Sequence, residues 1–160
     1  MKTHSDTFTY LLSNNTRDLG TLSSPIFNIN YLQKKNNYTK ITCYIDNLQA
    51  VLLTLSDTTN LIYLESNLNQ INSYNSKTKG TSNILCCINR NIQESSGANY
   101  QDSAVSYQAP TTPIEIGSLP DTISLKLVKA NGNTVDLDTG GNVISVKLRF
   151  VCEYEVQCGC

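Results

Sequence analysis

The stretch Asn142–Val156 limits the fold more than any other part of the chain. Ile144, Val146, Leu148, Phe150, Cys152, Tyr154 and Val156 fall on one side of a two-residue alternation, and Ser145, Lys147, Arg149, Glu153 and Glu155 fall on the other. Strict alternation puts successive side chains on opposite faces of an extended strand, so one face can be buried while the other stays wet. Only Val143 and Val151 interrupt the polar side. Thr122–Val128 repeats the pattern with Ile123, Leu125 and Leu127 inward, and Asn131-Gly132 follows where a hairpin must turn. The C-terminal third therefore reads as antiparallel sheet.

The remainder divides into short apolar or alternating segments separated by turn residues. Thr7–Leu12, Ile26–Leu32, Tyr38–Ile45, Leu48–Leu55, Leu61–Glu65, Asn83–Ile88 and Ala104–Ala109 read as strands. Ile114-Glu115-Ile116 lies in the proline-punctuated segment Pro110–Pro120 and suits a sheet edge, where proline is tolerated. Ser66–Ser82 and Asn89–Asp102 read as the two long polar loops. No segment holds a helical repeat for more than about two turns. Eight to ten short strands with mixed hairpin links and long loops predict an all-β protein, a Greek-key sandwich of two antiparallel sheets such as a single jelly roll.

With 160 residues the chain matches one domain, expected to carry a flexible start over 1–6 and a flexible tail over 157–160. Asn, Ser and Thr supply about a third of the residues, a composition that favours strands and turns over helices. Twelve basic residues balance thirteen acidic ones without charge runs, so no face is built to neutralise nucleic-acid phosphates or anionic lipid. No apolar run is long enough to span a bilayer, and Met1–Asp6 lacks the apolar core of a secretory signal. The expectation is an intracellular, soluble protein.

Candidate chemistry is sparse. The single histidine, His4, sits in the expected flexible start and makes a poor catalytic base. Cys158-Gly159-Cys160 with Cys86-Cys87 offers thiolates for zinc, but without the spacing of structural zinc ligands. Core thiols and a frayed tail are the plainer reading, with a terminal disulfide to a neighbouring chain as an alternative. Cys43 and Cys152 occupy apolar strand positions and are expected in the core. Asp136 with Asp138, and Glu153 with Glu155, could pair carboxylates for calcium or glycoside hydrolysis, yet each pair suits the solvated side of a strand. Asn14-Asn15-Thr16 and Asn37-Tyr38-Thr39 match the glycosylation triplet, which matters only in a secreted chain. Gly140-Gly141 lies between strands rather than ahead of a helix, so it does not form a phosphate-binding loop. The expectation is no catalytic, cofactor-binding or metal-binding residues, no cofactor and no obligatory disulfide.

In segment order the chain resembles the single jelly-roll capsid proteins of large double-stranded DNA viruses, their penton and minor capsid proteins. The likeness rests on TFTYLLSNNTRDLG leading to PIFNINYL, on LIYLESNLNQINSYNSKTKGTSNILCCINR, and on the tail from PIEIGSLP to VISVKLRF. Within that tail Ile123–Leu127, Asn131-Gly132 and Leu148-Arg149-Phe150 match a strand, a turn and a closing strand of the family pattern, while VCEYEVQCGC extends past it. The resemblance implies a virion shell subunit, made and assembled in the host cytoplasm. Its implied partners are copies of itself in a homopentamer and the major or other capsid proteins, with no specific nucleic acid and no enzymatic role. The alternative is a carbohydrate- or protein-binding β-sandwich, such as a fibre head or lectin-like module. Against it stand the lack of Trp and the placement of most of the nine Tyr within predicted strands.

Overall fold

The computed structural model describes residues 1–29, 37–51, 61–71, 82–89, 92–94, 100–102, 105–107, 113–138 and 141–157. In chain order the strands are β1 (Lys2–Ser13), β2 (Leu19–Gly20), β3 (Pro25–Asn28), β4 (Lys40–Val51), β5 (Leu61–Ser66) and β6 (Ile84–Asn89). They continue as β7 (Ile92–Glu94), β8 (Tyr100–Asp102), β9 (Val105–Tyr107), β10 (Ile114–Ile116), β11 (Thr122–Lys129) and β12 (Val143–Val156). A single 3-10 turn, Asn14–Thr16, follows β1.

Two sheets carry the fold. One runs β1-β12-β4-β10, with β9 also on β4, and the other runs β2-β3-β11-β5-β6. Since β12 takes one side of β4 along its length, β9 and β10 share the other side and act as one interrupted strand. With β9 and β10 counted together and the two-residue β2 set aside, eight principal strands remain in these sheets. The first sheet then reads first-eighth-third-sixth and the second reads second-seventh-fourth-fifth. All the pairings are antiparallel, and this interleaving of two Greek keys is a jelly roll. The expected fold class is the observed one.

The alternation of β12 decides its place. Ile144, Val146, Leu148, Phe150 and Cys152 are buried against the second sheet, where Ile123, Leu125 and Leu127 of β11 and Ile62 and Leu64 of β5 face them. Cys43 joins the same core, as its apolar position implied. A long antiparallel strand with only one apolar stripe must sit centrally with that stripe inward, because no other placement keeps both its ladders and its side chains satisfied.

Three departures from the sequence reading have a physical cause. Tyr38–Ile45 and Leu48–Leu55 are not two strands over their described parts; they form the single strand β4, with 52–55 outside the described residues. Asp46 is an extra residue there, since Leu148 pairs with Ile45 and Lys147 with Asn47. This bulge changes the inward parity from Ile41, Cys43 and Ile45 to Leu48 and Ala50, so the apolar residues stay inside although the alternation breaks. Asn131-Gly132 does turn, with Gly132 at φ +90° and its N–H donating to the Lys129 carbonyl at 2.9 Å. It folds back only Thr134 and Val135 onto β11, and the chain then crosses to the other sheet. Lastly, Lys2–Asp6, expected as a flexible end, forms the first half of β1, in unbroken register with Cys152–Val156.

Candidate functional site

Of the two long polar loops in the sequence, Ser66–Ser82 and Asn89–Asp102, the described part of the first is firmly attached. Its Asn67 side chain donates to the Thr122 carbonyl at 2.9 Å and accepts from the Ser124 N–H at 2.8 Å, pinning the start of β11. Next to it the buried Gln70 donates to the Ile84 carbonyl at 2.9 Å. Ile71 N–H donates to the Glu115 carbonyl and Gly117 N–H to the Asn69 carbonyl, both at 3.0 Å. Asn69–Ile71 thus covers the outer margin of β10, leaving Ile71 half exposed. The remainder of the first loop, 72–81, lies outside the described residues. In the second loop, Ile92–Glu94 and Tyr100–Asp102 pair as an antiparallel two-stranded sheet rather than irregular chain. Alternation of only three residues on each side was too short to reveal it.

A cavity of about 350 Å³ opens where this margin meets the start of β4, lined by Tyr38–Ile41, Ile71 and Glu115–Gly117. Lys40 and Glu115 form an ion pair at 3.2 Å on its wall, and the hydrogen bond to Glu115 raises the Lys40 pKa. Beside it Tyr38 donates to Asp6 at 3.1 Å and meets Tyr154 edge-on at 6.2 Å, while His4 stacks on Tyr154 at 5.8 Å. Burial first, then the bond to Asp6, pushes the Tyr38 phenol up to about 12. His4 is therefore part of an aromatic cluster built across β1 and β12.

The outer face of the first sheet carries a second ordered group. The β4 bulge aims Asp46 at Arg149, which donates from Nε at 3.0 Å and from Nη2 at 3.1 Å, and the guanidinium lies 4.4 Å from the centre of the Tyr44 ring. Bidentate geometry and ring stacking hold an arginine more rigidly than an exposed ion pair alone.

At one end of the sandwich the acidic residues hold loops. Asp138 accepts from the Leu22 N–H at 2.9 Å and the Ser23 hydroxyl at 2.7 Å, and the Ser23 bond chiefly lowers its pKa. Asp136 accepts from the Asp138 N–H at 2.8 Å. Asn14, the first residue of a glycosylation triplet, is fully buried; it donates to the Asn142 carbonyl and accepts from the Ile144 N–H. Glu153 and Glu155 share the outward side of β12.

Burial pushes the thiols of Cys43 and Cys86 up to about 12 and that of Cys152 to about 11, so all three stay protonated and weakly nucleophilic at neutral pH. Cys43, Cys86, Cys87 and Cys152 are free, whereas Cys158 and Cys160 lie outside the described residues. Among the described residues no three His, Cys, Asp or Glu side chains group as metal ligands, and no helix is long and apolar enough to cross a membrane. What the arrangement offers is ordered surface: a covered margin with a small cavity, a rigid Arg-Tyr-Asp face and loops tied by buried amides. Compared with protein-family models and with curated proteins, the chain matches none.

Proposed function

We propose that this chain is a structural subunit of an icosahedral virion shell, a penton protein at the fivefold vertices or a minor capsid protein. The observation that carries the reading is the interleaved strand order of the two sheets, a fold-level analogy with shell-forming jelly rolls. The likeness of the segments to single jelly-roll capsid proteins supports it further. So do a net charge of −1, which lets many copies approach without strong repulsion, and polar residues that fasten loops to the sandwich. Its partners are further copies of itself and other capsid proteins, contacted through wide, mostly uncharged surfaces.

The test is to purify particles from infected cells and measure the protein's copy number and ring size. Five-membered rings at vertices identify a penton, other stoichiometries a minor protein, and absence from particles overturns the reading. Loop contacts are tested by removing 73–79, which leaves the bonds of Asn69–Ile71 to β10 in place. The isolated domain should keep its melting temperature while incorporation falls; normal incorporation refutes a contact role for that loop. Among the described residues, the cavity beside Tyr38, Lys40 and Glu115 favours the carbohydrate-binding alternative. Saturable binding of a simple sugar, abolished by Glu115→Gln, would support that alternative instead.

A further inference from the structure

Two triplets of the chain carry the acceptor pattern for N-linked glycans, and the fold treats them oppositely. Asn37, just ahead of β4, is exposed, and its triplet is anchored behind it, where the Thr39 N–H and hydroxyl both donate to the Glu153 carbonyl. Asn14 has no exposed surface. Its Nδ2, the atom that would carry the sugar, donates to the Asn142 carbonyl at 3.2 Å, and its Oδ1 accepts from the Ile144 N–H at 3.1 Å. Asn142 and Ile144 are themselves only 2% exposed, so the Asn14 amide is clamped between the 3-10 turn and the start of β12. A sugar ring is as large as an aromatic side chain, and an interior packed to crystal density does not admit one without displacing what is there. Asn14 bearing a glycan must therefore leave the interior, which parts the buried Ile144 N–H from its acceptor and opens the end of the sandwich where β12 begins.

Burial protects Asn14 only once the fold has closed. Its two partners lie 128 and 130 residues further along the chain. At roughly 5–20 residues per second, synthesis takes on the order of ten seconds to reach them, and until then Asn14-Asn15-Thr16 is accessible, unfolded chain. An oligosaccharyl transferase acting on the nascent chain reaches Asn14 before the fold does. In that reaction Nδ2 bonds to the anomeric carbon of a lipid-pyrophosphate-linked oligosaccharide, the lipid pyrophosphate leaves and the amide gives up one proton. We infer that N-glycosylation of Asn14 and this fold exclude each other: the chain reaches its folded form only where that transferase does not meet it during synthesis. Of the two acceptor asparagines, the finished fold leaves Asn37 alone open to modification. The inference rests on the surroundings of Asn14 and holds whether or not the chain builds a shell.

Cell-free translation of the full chain under reducing conditions, which keep the six cysteines as thiols, tests it. Made without microsomes, the product should resist protease. Made behind an export signal with microsomes, the wild type should gain glycans on Asn14 and Asn37 and lose that resistance once the membranes are dissolved. Thr16→Ala removes the first triplet but keeps Asn14 and both its bonds, giving up only an exposed hydroxyl bond to the Ser13 carbonyl. It should carry a glycan on Asn37 alone and regain resistance, whereas Thr39→Ala should carry one on Asn14 alone and stay sensitive. Protease-resistant wild type with a glycan on Asn14 overturns the inference. So does wild type whose Asn14 escapes modification during import, or Thr16→Ala that is as sensitive as the wild type.

Discussion

From Ile144 to Cys152, β12 lies between β1 and β4 with the second sheet beneath it; from Tyr154 to Val156 it keeps only β1 beside it. Both parts obey the same alternation. In the first, every inward side chain is buried, while in the second Tyr154 is partly exposed and Val156 is 40% exposed. The pattern therefore fixes which way a side chain points, whereas the number of neighbouring layers fixes how much energy that direction yields. The wet end compensates with ring contacts to His4 and Tyr38 instead of a packed core.

The sharpest test of this difference is Phe150→Ala. Phe150 is fully buried and meets Tyr10 edge-on at 5.9 Å, so truncation should destabilise the protein by about 3–5 kcal/mol in denaturant titrations. A loss below about 1 kcal/mol would remove the energetic distinction between the two parts. Asn14→Ala probes the start of the buried part. It removes the acceptor of the buried Ile144 N–H and the donor to Asn142, for an expected loss of about 1–3 kcal/mol. A neutral effect would mean that the buried amide does not position the strand.

At the wet end the effect is smaller and depends on pH. Tyr38 is raised in the fold from 10.0 to about 12, so the folded state favours the neutral phenol. That contribution is complete below the unfolded value and is lost as pH climbs from about 10 through about 12. Between these limits the melting temperature of the wild type should fall more steeply than that of Tyr38→Phe. Parallel curves would show that the cluster around Tyr154 does not stabilise the end of β12.

How much of this was legible in the sequence varies by element. Ile114–Ile116 was read to the residue as a short edge strand, and β11 and β12 to within a residue or two, because every second residue on their inward side is apolar. The two-strand reading of β4 failed at Asp46, since a bulge interrupts parity in the same way as a turn. At the surface, nothing local marks Asn67 or Gln70 as a fastener, as their partners lie 55 and 14 residues away. The meeting of His4, Tyr38 and Tyr154 was hidden for the same reason.

By itself, then, the sequence determined the strand-rich class, the inward faces of β11 and β12 and the burial of Cys43 and Cys152. These follow from side-chain alternation, a property of each strand alone. Tertiary structure decided which strands are neighbours, that the turn at Asn131-Gly132 leads out of one sheet into the other, and that the margin at β10 is covered while no described strand lies beyond β1. Those depend on long-range pairing, where closing the intervening chain is opposed by entropy and rewarded only when both sheets bury one core between them.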